Sequence, residues 1–325
     1  VAYPTPTSVL TPTPKGYTPV YMSHYGRHGS RFNIGNIYSG TYFMLKKAAD
    51  LGKLTQLGLE TMENVKLLRD EAAGRDGELT SIGAQQHREI AERMYRNFPE
   101  IFKSPNATIE AHATTVSRCI LSMENAMIKL ASLNPNLTIT HDASTHDMYY
   151  MNQSDKHLDS LQQKQMYRQG RFSADKIHPE RLMPLLFNDS KYFADSLRGG
   201  GFLMKQLFDL AMHTQNSEIR NKVNMTGLFT TDELYDLWQI TNAYWYIHRA
   251  NSSYTEGKMP FTQRNLLRKM IEESDSCLKL PYPSASLRYG HDGMVLPLNC
   301  LMELDNTNRQ LTLEELAEKG WCDYD

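Results

Sequence analysis

Apolar and polar positions follow two different periods along the chain, and the changes of period mark the predicted elements. Short apolar runs bounded by turn residues are typical of buried strands. Four such runs lie at residues 20–25, 107–113, 137–140 and 284–289. Longer segments carry apolar residues every three or four positions, as helices with one buried face do. They lie at residues 42–68, 77–98, 114–133, 202–213 and 232–249, and residues 294–298 begin another helix. Gly52 and Gly58 are expected to divide the first of these segments into two helices, and Thr231 is expected to cap the helix at 232–249. We therefore predict an α/β fold, with a mixed-sheet core flanked by helices.

The pattern of apolar positions divides the chain into an N-terminal arm, a core and an insertion. Five prolines in residues 1–19 predict an extended arm. After residue 140 the strand pattern stops until residue 284, so residues 141–275 are interpreted as an inserted, mostly α-helical cap. Residues 1–140 and 276–325 then form one discontinuous core. Three consecutive glycines at positions 199–201 fit either a flexible junction or an anion-binding nest at a helix start.

Composition and charge exclude several classes of protein. The 325 residues are 40% hydrophobic, which is enough for a substantial core, and the formal net charge is only −2. No global charge attracts the protein to nucleic acid or to an anionic membrane. No apolar run approaches the roughly 20 residues that cross a bilayer, and no signal peptide is present. Because the first residue is Val1, an upstream segment could have been removed, and we expect a periplasmic or secreted protein.

The four cysteines are widely spaced and include no Cys-x-x-Cys pair, which speaks against a zinc site. Cys277, Cys300 and Cys322 lie late in the chain. One disulfide among them and free buried thiols are both compatible with the sequence. We predict neither a metal nor an organic cofactor.

The densest chemistry lies at residues 24–31, directly after the first predicted strand. This octapeptide has the sequence His-Tyr-Gly-Arg-His-Gly-Ser-Arg. A neutral imidazole is a suitable nucleophile for phosphoryl transfer, and arginines hold phosphate oxygens while negative charge develops on them. Arg27, His28 and Arg31 meet these needs, and Gly29 allows the backbone to approach a ligand closely. The alternative is a basic surface turn.

These residues resemble the signature of the histidine acid phosphatases, in which the histidine corresponding to His28 becomes transiently phosphorylated. The longer string from Tyr21 to Arg31 is most similar to the branch of multiple inositol polyphosphate phosphatases, which remove phosphates from phytate and related compounds. The Leu-Thr-x-x-Gly turn at residues 79–83 also resembles the family, where it begins the helix behind the site. His87 on that helix is interpreted as structural or exposed.

A third arginine is predicted from the helix at residues 114–133. Arg118 lies about 200° from Val116 around a helix, so it points away from the apolar stripe. The string Thr-Thr-Val-Ser-Arg at residues 114–118 resembles the family segment that supplies another phosphate-binding arginine. The alternative is a solvent-facing helix arginine.

The last predicted strand ends at Gly290-His291-Asp292-Gly293. A carboxylic acid at this place could protonate a leaving alkoxide and then act as base for water. Asp292 is the candidate donor, and His291 would contact the phosphate. The pair resembles the His-Asp pair of many histidine acid phosphatases, whereas the inositol polyphosphate branch commonly has His-Ala-Glu.

The sequence thus predicts a phosphomonoester hydrolase that acts on inositol polyphosphates through a phosphohistidine. The predicted catalytic residues are His28 and Asp292, and Arg27, Arg31, Arg118 and His291 would bind the substrate. Two alternatives remain: a phosphoglycerate-mutase-like enzyme, and a non-catalytic module that binds anionic ligands. The expected partner is a small phosphorylated molecule, and the protein would be a monomer or homodimer.

Overall fold

The four predicted strands form one parallel sheet in the computed structural model, which describes residues 3, 6–7, 10–151, 155–163 and 166–319. The strands are β1 (Tyr21–Arg27), β2 (Thr108–Ala113), β3 (Thr138–Asp142) and β4 (Ser284–Gly290). Their order is β1-β4-β2-β3, so the last strand in sequence lies between the first two. The predicted α/β class is confirmed. No antiparallel strand belongs to the sheet in the described part of the chain, although a mixed sheet was expected.

Helices make up most of the remaining described chain. Before β4 they are α1 (Ile37–Asp50), α2 (Gln56–Glu71), α3 (Ser81–Asn97), α4 (Pro99–Phe102), α5 (Ser117–Leu133), α6 (Met148–Met151), α7 (Lys156–Gln163), α8 (Met166–Ala174), α9 (Leu182–Leu186), α10 (Ser190–Ser196), α11 (Gly201–Thr214), α12 (Thr231–Arg249) and α13 (Arg264–Cys277). After β4 come α14 (Asp292–Leu301) and α15 (Leu313–Lys319). Short 3₁₀ turns lie at Thr145–Asp147, Thr226–Leu228, Ser253–Thr255, Met259–Gln263 and Leu304–Asn306.

Threonine caps explain where several helices begin. Thr80 accepts a hydrogen bond from the Gly83 N–H at the start of α3, and Thr230 forms a full capping box with Glu233 at the start of α12. The cap of α12 is therefore Thr230, one residue before the predicted Thr231. Gly58 was expected to interrupt the chain between two helices but lies inside α2, where a Cβ would stand 2.2 Å from the Leu186 carbonyl oxygen. That glycine permits a close approach between α2 and the end of α9.

The sheet is packed between helices on both faces. On one face, α3, α4 and α5 bury a cluster with β2 and β4 that includes Ile109, Met123 and Leu287. On the other face, α6, α13 and α14 pack together around Tyr150, Leu266 and Met294. Both clusters hold the sheet rigidly, so the ends of its strands are well-defined places for side chains that act together.

A third cluster joins the first two helices to the predicted cap. Residues of α1 and α2 pack with residues of α9, α11 and α12, and Leu45, Val65, Leu186 and Leu207 are fully buried there. No strand occurs in the described residues between 143 and 283, as the cap prediction requires. The division into a discontinuous core and a cap stays a prediction. The glycines at 199–201 form the turn into α11, and a Cβ on Gly200 would collide with Met183.

Two charged contacts lie beneath the strand ends. Arg288 of β4 is fully buried and forms a salt bridge with Glu273 of α13. His112 of β2 contacts Glu110 Oε1 at 3.1 Å and Asp147 Oδ2 at 2.9 Å, and its side chain is 16% exposed. These contacts between carboxylates and the imidazole raise the pKa of His112, because they stabilise its protonated form.

The described cysteines Cys119, Cys277 and Cys300 carry free thiols. Cys322, the other residue considered for a disulfide, lies outside the described residues. In the described part of the chain, none of the helices has the length and apolar character needed to span a membrane.

Candidate active site

The site forms where the carboxyl ends of three parallel strands meet. Arg27 at the end of β1 pairs in register with Gly290 at the end of β4, so His28 and His291 follow neighbouring strands. β2, on the other side of β4, ends at Ala113 and leads through Thr114 into α5. The strand order therefore brings together segments that are about 90 and 170 residues apart in sequence.

The backbone of the loop after β1 is held by other parts of the protein. The His28 N–H donates to the Gly290 carbonyl at 2.8 Å, and the Gly29 N–H donates to Ser122 Oγ at 3.0 Å. The Ser30 N–H donates to Gln86 Oε1 at 2.9 Å. Because these amide donors are already used, an anion at this loop would be bound by side chains and not by a backbone nest.

Glycine is required at position 29 because of a contact within the protein, and not because of the ligand contact that the sequence predicted. A Cβ on Gly29 would lie 2.3 Å from the Gly83 carbonyl oxygen, and a Cβ on Gly83 would lie 2.2 Å from the Ser30 carbonyl oxygen. The two glycines thus let the loop pack backbone against backbone on the first turn of α3. The close approach predicted at Gly29 is to this helix, and it explains why a glycine ends the Leu-Thr-x-x-Gly turn.

His28 carries a buried, neutral imidazole. The residue is 4% exposed, and its Nδ1 lies 2.7 Å from the Gly29 carbonyl oxygen. A carbonyl oxygen only accepts hydrogen bonds, so Nδ1 carries the proton and Nε2 keeps its lone pair. Burial, together with the charges of Arg27 and Arg118, lowers the pKa of His28 to about 3.

The three predicted arginines surround this histidine with positive charge. Arg27 Nε forms an ion pair with Asp292 Oδ2 at 2.9 Å, and both side chains are about two-fifths exposed. Arg31 is partly buried, and burial followed by the charges of Arg27 and Arg118 lowers the pKa of its guanidinium. Arg118 Nη1 donates to the Gly77 carbonyl at 3.4 Å, while its buried Nε has no hydrogen-bond partner among the described residues. A buried donor without a partner is uncommon in proteins, so the hydrogen-bonding capacity of the Arg118 guanidinium is only partly used.

The His291-Asp292 pair completes the site from the end of β4. The rings of His28 and His291 are 5.6 Å apart, and His291 Nε2 lies 3.3 Å from Thr114 Oγ1. Burial acts to raise the pKa of Asp292, but Arg27, the Gly293 N–H and the two histidines outweigh it, so the pKa is lower than usual. Without a ligand, Asp292 is therefore ionised and paired with Arg27.

The structure brings together all six residues singled out from the sequence, and it adds several that the sequence did not reveal. Tyr25 Oη donates to Met294 Sδ at 2.9 Å and accepts from the His291 N–H at 3.4 Å. Ser122 and Gln86 hold the loop backbone. A tyrosine at a strand end and polar residues inside amphipathic helices carry no distinctive pattern, so only the tertiary contacts identify them.

His87 is buried, in agreement with its structural interpretation, and packs edge to face on Tyr289. Among the described residues no group of three or more His, Cys, Asp or Glu side chains is arranged to hold a metal ion. The arrangement offers a buried imidazole lone pair, three guanidinium groups and one carboxylate, which together suit transfer of an anionic group such as phosphate.

No protein-family model matches the chain, and no curated protein matches it in sequence. Solved structures do match. Multiple inositol polyphosphate phosphatase from Bifidobacterium longum in complex with phosphate has a TM-score of 0.76 and 16% identity, covering 96% of this chain and 80% of its own. The same phosphatase with inositol hexasulfate has a TM-score of 0.71 and 16% identity, covering 96% and 82%. The phytase from D. castellii has a TM-score of 0.57 and 14% identity, covering 86% and 61%.

At these identities the likeness is one of fold. The resemblance predicted from the residues around His28 is confirmed at that level, because the matching structures are phosphatases and phytases of the kind that the residues indicated. The chain therefore has the α/β fold of the inositol polyphosphate phosphatases and phytases.

Proposed function

We propose that the protein is a phosphomonoester hydrolase of the histidine acid phosphatase type, which removes phosphate from inositol polyphosphates through a phosphohistidine. The observation that carries the proposal is the state of His28. Its Nδ1 is committed to the Gly29 carbonyl, its pKa is lowered to about 3, and the charges of Arg27 and Arg118 act on it. A non-catalytic anion-binding module has no need for a neutral imidazole at this place.

In the first step, the guanidinium groups of Arg27, Arg31 and Arg118 bind the oxygens of the phosphate to be transferred. His28 Nε2 attacks phosphorus, the new N–P bond forms, and the bond from phosphorus to the ester oxygen breaks. Asp292 gives its proton to the departing oxygen, which leaves as an alcohol. His291 would contact the phosphate as it passes to His28.

Asp292 must gain a proton before it can act as the acid, although it is ionised in the free protein. The Arg27 ion pair is the main attraction that keeps it so, since burial acts in the opposite direction. A bound phosphate competes for Arg27 and places negative charge beside Asp292. Both effects raise the pKa of the carboxyl, so a proton brought by the substrate phosphate can pass to it.

In the second step, Asp292 acts as a base on a water molecule. The water oxygen attacks phosphorus, the N–P bond breaks, and inorganic phosphate leaves with His28 again neutral. The proton from the water returns to Asp292, so the carboxyl ends the cycle as it began the first step.

The substrate class is proposed from two supports. The chain shares its fold with a multiple inositol polyphosphate phosphatase that was solved with inositol hexasulfate, and its site combines three arginines in a protein of nearly neutral net charge. A ligand rich in phosphates suits such a local concentration of positive charge. A periplasmic or secreted location is also part of the proposal.

The test is phosphate release from phytate and from an aryl phosphate near pH 5, using wild type, His28→Ala and Asp292→Asn. His28→Ala should abolish release from both substrates. Asp292→Asn should reduce release from phytate far more than from the aryl ester, because an aryl oxide leaves without protonation. His146→Ala and Asp50→Asn change exposed residues outside the site and serve as matched controls.

Four other outcomes of this test would lead to different conclusions. Full activity of His28→Ala would refute the proposal. Release from the aryl phosphate alone would keep the chemistry and reject the inositol phosphate class. Transfer of phosphate between positions without release would identify a mutase-like enzyme, and binding of phytate without turnover would identify an anion-binding module.

A further inference from the structure

Ser122 lies behind the site and makes two hydrogen bonds that join separate parts of it. The residue is on α5 and is fully buried. Its Oγ accepts the hydrogen of the Gly29 N–H at 3.0 Å and donates to the Arg118 carbonyl at 2.7 Å. One hydroxyl thus connects the residue after the nucleophile to the backbone of the third arginine.

The bond to Arg118 is common in helices, where serine often donates to the carbonyl four residues earlier. The bond from Gly29 is different, because it spans 93 residues and ties the loop to α5. Since the hydroxyl proton is used on the Arg118 carbonyl, the oxygen lone pairs remain to accept the loop amide. The direction of both bonds is therefore defined.

We propose that Ser122 is a positioning residue that fixes Arg118 relative to the His28 loop, so that both reach the same phosphate. The inference rests on the proposed function, which gives Arg118 and His28 their common ligand. Without the Ser122 hydroxyl, the Gly29 N–H is buried and unpaired, and the loop is free to move relative to the first turn of α5. Reacting groups displaced by about 1 Å lose roughly a hundredfold in rate.

Gln86 provides the matched comparison. It accepts the neighbouring Ser30 N–H at 2.9 Å, so it holds the same loop, but it belongs to α3 and makes no contact with Arg118 among the described hydrogen bonds. A change at Gln86 should impair the loop without acting through Arg118. Ser132→Ala on α5 removes an exposed serine hydroxyl whose hydrogen bond, among the described residues, goes to the Lys129 carbonyl of the same helix, so it controls for loss of such a bond.

The experiment is a double-mutant cycle that measures kcat/KM for an aryl phosphate, with the thermal midpoint of each variant recorded. Ser122→Ala should lower kcat/KM roughly ten- to hundredfold in the wild-type background. In an Arg118→Ala background the same change should cost much less, because the group that it positions is gone. Gln86→Met should cost about as much in both backgrounds, and Ser132→Ala should leave kcat/KM unchanged.

A second control separates positioning from stability. Met127→Ala removes a buried side chain of α5 away from the loop, so it should lower the thermal midpoint without a comparable loss of kcat/KM in the folded protein. If Ser122→Ala does not fold, Ser122→Cys, with a weaker acceptor in the same place, enters the cycle instead.

Equal losses from Ser122→Ala in the two backgrounds, with an active wild type, would overturn the inference and leave the proposed function standing. A wild type without phosphatase activity would instead refute the proposed function. Inhibition by inorganic phosphate gives an independent reading, since Ser122→Ala should weaken it in the wild-type background but not in the Arg118→Ala background.

Discussion

The contact between the His28 loop and α3 makes a sharp prediction for Gly83→Ala. A Cβ at this position would lie 2.2 Å from the carbonyl oxygen and 2.7 Å from the nitrogen of Ser30. Both atoms belong to the backbone, so no side chain can rotate to relieve the overlap. Nonbonded atoms at optimal separation are about 3.5 Å apart, so the loop and the helix must separate by roughly 1 Å.

The expected loss of unfolding free energy can be estimated from the hydrogen bond that crosses this contact. The Thr80 N–H donates to the Ser30 carbonyl at 2.9 Å, and a shift of about 1 Å would take it beyond hydrogen-bonding distance. Overpacking of this kind costs about 1–3 kcal/mol of unfolding free energy, which exceeds the gain of at most about 1 kcal/mol from alanine in a helix. Because the loop carries His28 and Arg31, kcat/KM should also fall, by roughly a hundredfold.

The assay combines denaturant unfolding with kcat/KM for an aryl phosphate. Gly40→Ala is the control, because it also places alanine in a helix, yet the nearest atom to its Cβ is Asn36 Nδ2 at 3.7 Å. That variant should keep full activity and gain about 0.5–1 kcal/mol of stability. A Gly83→Ala protein with unchanged unfolding free energy and unchanged kcat/KM would refute the reasoning.

Three further predictions concern charged groups. Glu273→Ala leaves the fully buried Arg288 without its carboxylate partner. The change should lower the unfolding free energy, measured by denaturant titration, by roughly 3–5 kcal/mol, because a buried charge is left uncompensated. An unchanged unfolding free energy would contradict the burial of this ion pair. Because the pKa of His112 is raised in the folded protein, the stabilisation from its protonated imidazole is complete below about pH 6.5 and is lost as the pH rises through the folded-state pKa. His112→Gln should therefore lower the free energy of unfolding more at pH 5 than at pH 9. A destabilisation that grows between pH 5 and pH 9 would show that the folded-state pKa of His112 is lowered and not raised. Because the pKa of His28 is about 3, kcat/KM corrected for substrate ionisation should show no loss from its protonation until the pH approaches that value; a loss near pH 6.5 would mean an exposed imidazole.

Local signals in the sequence were sufficient for the four strands, for several of the helices and for the choice of candidate site residues. Period and turn residues predicted all four strands, and the threonine before α3 marked its start. Arginine and histidine within one short loop indicated His28 and its neighbours as a candidate site, and the structure places these side chains close to His291 and Asp292. These features depend on residues close together in the chain, so the chain order alone reveals them.

The tertiary structure decided what depends on distant residues. It placed β4 between β1 and β2, which brings Asp292 to Arg27 and sets the lowered pKa values of the site. It also showed that Gly29 faces α3 and that Gly58 lies within α2, where the sequence had indicated a ligand contact and an interruption. Burial and long-range hydrogen bonds, such as that of Ser122, are properties of the packed chain, and no local pattern encodes them.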